Sequence, residues 1–187
     1  MATKISAISN AFLLIGDKTI NSLDEDSFRA TVAANLYDSI YQTELVSHPW
    51  TFARKMQSLA LTTETPVTDE WKLIYQLPSD LISVYRVYPR SDYEIYGDKI
   101  YSNTNNLTLD YFARVDESAW PPYFEKLMHF ALAKDFAIPI RENASLAQYL
   151  DGLYIGQGQK SRAVDSKQRP QRQIQNKPFI EARYTQG

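Results

Sequence analysis

The stretch Tyr93-Glu94-Ile95-Tyr96-Gly97-Asp98-Lys99-Ile100-Tyr101 decides the character of the middle of the chain. Two short aromatic and β-branched runs flank Gly97-Asp98, a pair suited to a two-residue type I′ or II′ turn. Residues 93–101 are therefore predicted to form a tight hairpin. Working outward, Lys55 to Leu61, Trp71 to Leu77, Leu81 to Tyr88 and Leu107 to Arg114 have strand-like composition. Polar, turn-prone linkers at Thr62 to Thr68 and Ser102 to Asn106 separate them. The block 54–114 is expected to be one antiparallel sheet of four or five strands.

On both sides the apolar period becomes helical. Ile5, Ile8, Phe12 and Ile15 recur at spacings of three and four, predicting a helix over 4–15 closed by Gly16. The acidic run Asp24-Glu25-Asp26 and Ser27 suit the positive end of a second helix over 27–46. Its buried face is read as Phe28, Val32, Leu36, Ile40 and one of Tyr37 or Tyr41, and Pro49 stops it. Beyond the strands, Trp120-Pro121-Pro122 opens a third helix over 122–138, with Tyr123, Phe124, Leu127, Met128, Ala131, Leu132 and Phe136 at helical spacing. Pro139 is expected to end it. A fourth helix is predicted over 143–160, weakened in its second half by Gly152, Gly156 and Gly158.

The fold class is thus α+β, mainly helical: two N-terminal and two C-terminal helices in a bundle, with an antiparallel β-sheet/hairpin insertion. Residues 1–166 are read as a single domain and 167–187 as an extended basic tail. The tail's sequence is polar and proline-marked, with an isolated apolar pair at Phe179-Ile180.

The 187 residues are 44% apolar, enough for a core, and carry a net charge of −2, which excludes a globally basic nucleic-acid binder. The charge is unevenly placed. Residues 160–187 hold seven cations and two anions, leaving 13 cations and 20 anions for residues 1–159. A +5 tail on a −7 body suits docking onto something acidic, including another copy of the same body. The 13 tyrosines fit either protein interfaces or a tyrosine-rich sheet.

Catalytic chemistry is hard to assemble from this inventory. Cysteine is absent, which removes disulfides, thiolate catalysis and iron–sulfur clusters. The glycines Gly152, Gly156 and Gly158 lack the lysine and strand of a phosphate loop. His48 and His129 are the two histidines, and neither is expected to stand beside an acid, so no metal site or nucleophilic triad is assigned. Asp24, Glu25 and Asp26, or Asp116 and Glu117, could pair as glycosidase carboxylates, but read more simply as helix-start and loop acids. The longest early apolar run, Ala11 to Ile15, is too short for a bilayer, and no signal-peptide core precedes it, so synthesis in the cytoplasm is expected.

Four ordered motifs resemble the head-to-tail adaptors of podoviruses, the tail tubular protein A family. They are Asn10 to Gly16 followed by Ile20 to Ser27; Ser47-His48-Pro49-Trp50-Thr51-Phe52-Ala53; Tyr75-Gln76-Leu77-Pro78-Ser79-Asp80-Leu81; and Trp120-Pro121-Pro122-Tyr123-Phe124 with Ala131-Leu132-Ala133. The resemblance covers roughly residues 5–155. It implies a bacteriophage virion component with no catalytic site or cofactor: a homo-oligomeric ring, commonly of about twelve copies, closing by a heterologous interface beneath the portal protein. Such a ring continues the channel for dsDNA, without sequence-specific binding, and offers its far face to a nozzle or distal tail protein.

The resemblance stops near residue 160. Past that point partner binding, to portal or neighbouring subunit, is read from the residues: Phe179, Ile180 and Tyr184 as apolar anchors, with Arg169, Arg172 and Lys177 as steering charges. Extended, residues 166–187 span roughly 70 Å at about 3.3 Å per residue. Two rival readings are a DNA-binding accessory protein, using the same basic tail along a phosphate backbone, and a cell-wall hydrolase.

Overall fold

The computed structural model describes residues 2–168. Helices α1 (Lys4–Leu14) and α2 (Phe28–Val46) lead into six strands, β1 (Arg54–Ser58), β2 (Leu73–Gln76), β3 (Leu81–Tyr88), β4 (Tyr93–Tyr96), β5 (Lys99–Ser102) and β6 (Thr108–Ala113). Helices α3 (Pro122–Arg141) and α4 (Ala144–Lys167) follow. The α+β, mainly helical class and the central β insertion stand as read from the sequence.

Helix starts follow their local chemistry. Thr3 and Ser6 form a reciprocal capping box on α1, Ser27 caps α2 and Asn143 caps α4. Pro122 occupies the first turn of α3, where its missing N–H costs no hydrogen bond. Gly16 follows α1 at φ +72, a left-handed geometry that closes a helix cheaply only with glycine.

Three helical expectations need correction. Pro139 does not end α3, which runs on to Arg141. It sits in the last turn, and the carbonyl it deprives of a donor belongs to Asp135, an exposed residue that water can reach. Helix α4 continues to Lys167, seven residues beyond the expected end, because its second half is anchored through Gly158, Ser161 and Asp165. Phe28 is 66% exposed instead of lying on the buried face of α2. The buried residues of α2 are Ala30, Val32, Ala33, Tyr37, Ile40, Tyr41, Glu44 and Leu45. Val32 and Ile40 thus lie on the expected face, Leu36 is half-buried against the core, and both tyrosines are interior where one was expected. The members that escape an apolar-period search, Ala30, Ala33 and Glu44, are small or acidic.

The helices share one core. Phe12 of α1 meets Phe136 of α3 with ring centroids 5.1 Å apart. Trp50, Phe124, Tyr41 and Trp120 form an aromatic cluster, with Trp50–Phe124 at 5.0 Å and Trp120–Phe124 at 5.4 Å. Edge-to-face geometry of this kind adds to the burial of large rings.

The strands form two three-stranded antiparallel sheets, ordered β1-β6-β3 and β2-β5-β4, rather than one sheet. Hairpin β4–β5 is the predicted one, pairing Tyr96 with Lys99 across Gly97-Asp98. Gly97 has φ +62 and Asp98 does not have a positive φ, which selects the type II′ turn over I′. Tyr75, Val87, Ile100, Leu109 and Tyr111 build a second, smaller core from both sheets. Residues 60–62 border β2 through hydrogen bonds from Gln76 N–H to the Ala60 carbonyl and from Thr62 N–H to the Ile74 carbonyl. Among the described residues β4 has only β5 beside it and stands at an edge of its sheet.

Candidate functional site

The residues with the most constrained chemistry lie where the β insertion and the end of α4 meet the helical body. At the entrance to the insertion, Pro49 ends α2 and a short 3-10 turn, Thr51–Ala53, redirects the chain into β1. The Thr51 N–H points at Asp165 of α4, 3.0 Å from Oδ1 and 3.1 Å from Oδ2. Thr51 Oγ1 donates to Oδ2 at 3.1 Å, and the Tyr123 hydroxyl of α3 donates to Oδ1 at 2.9 Å. His48 Nε2 stands 3.4 Å from Oδ2. Asp165 is completely buried, a position a carboxylate tolerates only with such a set of donors. Burial, and then the Asp165 hydrogen bond, hold the Tyr123 hydroxyl well above its usual pKa.

The exit from the insertion is fastened by α2. The Tyr37 hydroxyl donates to Glu117 at 2.8 Å, and the Tyr41 hydroxyl donates to the Val115 carbonyl. Asp38 bridges Arg114 at 2.6 Å and Lys4 at 3.3 Å, and these hydrogen-bonded cations, the Arg114 bond foremost, hold its carboxyl below the usual carboxylate range. The insertion is therefore hydrogen-bonded to the helical body at both necks. One of those fastenings also fixes the last turns of α4.

Along α4 the anchoring continues. Ser161 donates to the Tyr123 carbonyl at 2.8 Å, and the Tyr154 hydroxyl donates to Glu44 Oε1 at 2.7 Å. Glu44 is 3% exposed, and its other oxygen has no hydrogen-bond partner among the described residues. Burial pushes the Glu44 carboxyl up from its ordinary value.

The six residues expected to bind partners, Arg169, Arg172, Lys177, Phe179, Ile180 and Tyr184, lie outside the described residues. The expectation that neither histidine stands beside an acid is corrected. His48 faces Asp165, and His129 Nε2 lies 3.8 Å from Glu125 and 3.3 Å from Asn10. Burial lowers the His129 pKa, partly offset by Glu125, which fits a neutral imidazole joining α1 to α3.

Members of both acidic clusters have local partners. Glu25 accepts from the N–H groups of Asn21 and Ser22, organising the turn before α2, and Glu117 holds Tyr37. Among the described residues, no three His, Cys, Asp or Glu side chains are grouped to hold a metal ion. No described helix is long and apolar enough to cross a membrane.

Sequence reading missed Asp165 as an anchor because it was counted with the basic tail. Its signal was an acid isolated among Lys160, Arg162 and Lys167. Compared with models of known protein families the chain matches none, and no curated protein matches it.

Proposed function

We propose that the protein is a non-enzymatic structural subunit of a phage virion, a head-to-tail adaptor that assembles as a ring under the portal. The observation that carries this reading is where the four adaptor-like motifs fall. Ile15-Gly16 closes α1, and Ser27 caps α2. His48-Pro49-Trp50 turns the chain from α2 into the insertion, Tyr75 to Leu81 joins β2 to β3, and Trp120-Pro121-Pro122 opens α3. Motifs that set the joints of a fold are the ones that a shared architecture would keep.

The doubly fastened insertion supports the same role. A ring subunit carries load between two partners, so its β projection must keep one orientation relative to its helices. The acidic body suits a DNA conduit, because a wall that gripped phosphates would retard passage. Of the carboxylates considered for glycoside hydrolysis, Glu25 accepts from two backbone N–H groups, Asp24 from the Ser22 hydroxyl and Glu117 from Tyr37, which favours the structural reading over a hydrolase.

The test is electron microscopy of the protein mixed with its portal. A stacked ring of matched symmetry is expected. Portal rings left bare at saturating protein would sink the proposal. Titrating DNA affinity with salt separates the accessory-protein alternative, which predicts tight binding that falls steeply with salt.

A further inference from the structure

Strand β4 forms one edge of its sheet among the described residues. All four residues of β4 are exposed, and Tyr93, Ile95 and Tyr96 present apolar surface there with Glu94 as the one charge. Natural edge strands are usually blunted by charge, proline or a bulge, whereas this one leaves backbone donors and acceptors on its free side.

Beside it lies a cleft of about 300 Å³ lined by Val67, Thr68, Trp71, Tyr96 and Tyr101. Tyr96 and Tyr101 meet edge to face at 5.1 Å. Val67 is 96% exposed, an apolar side chain with no cover. Trp71 is 92% buried, yet its indole N–H has no acceptor among the described residues. An unpaired buried donor favours an occupant that brings an acceptor oxygen to it. The rim is acidic: residues 64–72 and 90–99 carry six acids against three cations.

Residues 169–187 have the complementary chemistry. They carry four cations against one acid, and Phe179-Ile180 supplies apolar side chains between Lys177 and Arg183. Nineteen residues reach roughly 60 Å at about 3.3 Å each, enough to pass from one subunit to the next. We propose that β4 and the Trp71–Tyr96–Tyr101 cleft receive residues 169–187 of a neighbouring copy, added as a further strand with the Phe179-Ile180 pair seated at the cleft. Main-chain pairing supplies affinity and the cleft supplies register. This assignment rests on the ring reading, in which each copy must hold the next.

The native absence of cysteine makes disulfide trapping clean. Full-length Val67→Cys and Glu181→Cys chains, differently tagged, are mixed and oxidised. A mixed-tag dimer is expected as the dominant product. It should be lost when Phe179→Asp and Ile180→Asp are added to the Glu181→Cys chain, and be absent when Phe28→Cys replaces Val67→Cys. A mixed-tag yield no greater than the Phe28→Cys control overturns the proposal. So does a crosslink that forms only within a chain bearing both cysteines. A portal-bound ring without the crosslink removes this contact alone. The crosslink without a ring removes the adaptor reading alone.

Discussion

The carboxylate of Asp165, in the last turn of α4, accepts the backbone N–H of Thr51 at 3.0 Å, joining positions 114 residues apart. Thr51 opens the turn that leads into β1, so one buried side chain ties the start of the insertion to the end of the helical bundle. Tyr123 adds α3 to the same carboxylate. Asp165→Ala removes the acceptor and strands several donors in an interior site, each unmet donor costing about 1–3 kcal/mol. Urea unfolding of Asp165→Ala should show a lower midpoint with an unchanged slope, and a loss of about 3 kcal/mol or more. Asp165→Asn keeps one acceptor oxygen and should fall between the two. A midpoint equal to wild type in both variants would remove Asp165 from the fastening.

Glu44 makes stability depend on pH in the opposite sense to a salt-bridged acid. Its carboxyl is raised above the ordinary 4.5, chiefly by burial, although the Tyr154 hydroxyl, Lys134 and Arg162 pull it down. The folded state therefore holds this proton more tightly than the unfolded chain. Its contribution weakens as pH climbs from 4.5 through the folded value, since the unfolded state ionises first. Glu44→Gln retains an acceptor for Tyr154 and removes the charge. Its Tm should exceed wild type at pH 7, and the advantage should vanish below pH 4.5. A constant difference across that range would show that ionisation of Glu44 is not responsible.

The three glycines of α4 separate propensity from packing. A Cβ at Gly152 or Gly156 meets nothing within 4 Å, and at Gly158 it meets Leu127 at 3.8 Å. Helical glycine costs about 0.8–1 kcal/mol relative to alanine, so Gly152→Ala and Gly156→Ala should each stabilise the monomer by roughly 0.5–1 kcal/mol. Thermal unfolding of the single and double variants checks this, with near-additive gains expected.

Those glycines also explain why the end of α4 was not legible. Three weak helix formers in seven positions argued for fraying near residue 160, yet Ser161 and Asp165 are held by Tyr123 and Thr51, partners far away in sequence. The same blindness hid Glu44 and the second of the two tyrosines on the inner face of α2, where Tyr37 and Glu44 are interior because distant groups satisfy them. What local chemistry determines was legible: the Gly97-Asp98 hairpin, the strand Leu81–Tyr88, the Ser27 cap and the Pro122 start. The division of strands into two sheets was not, because which strands neighbour one another depends on contacts across the insertion. The Trp71–Tyr96–Tyr101 cleft was invisible for that reason too, its walls coming from β4, β5 and the segment before β2.

Residues 169–187 give the sharpest functional prediction. Both cores and the neck hydrogen bonds are made among residues 2–168, so a chain ending at Gln168 should unfold cooperatively near the wild-type Tm. If the protein is the proposed adaptor, that chain should nevertheless fail to join portal-filled capsids. Two sets of substitutions divide the cause. Replacing Arg169, Arg172 and Lys177 with glutamine removes steering, and should slow association and flatten its salt dependence while leaving the assembled particle intact. Replacing Phe179, Ile180 and Tyr184 with alanine removes the anchors, and should leave the encounter rate alone while the complex falls apart faster. Capsid incorporation measured as a time course at two salt concentrations reads both effects. Normal incorporation of the shortened chain would refute an attachment role for this segment, and the proposed ring would then have to close through residues 2–168 alone.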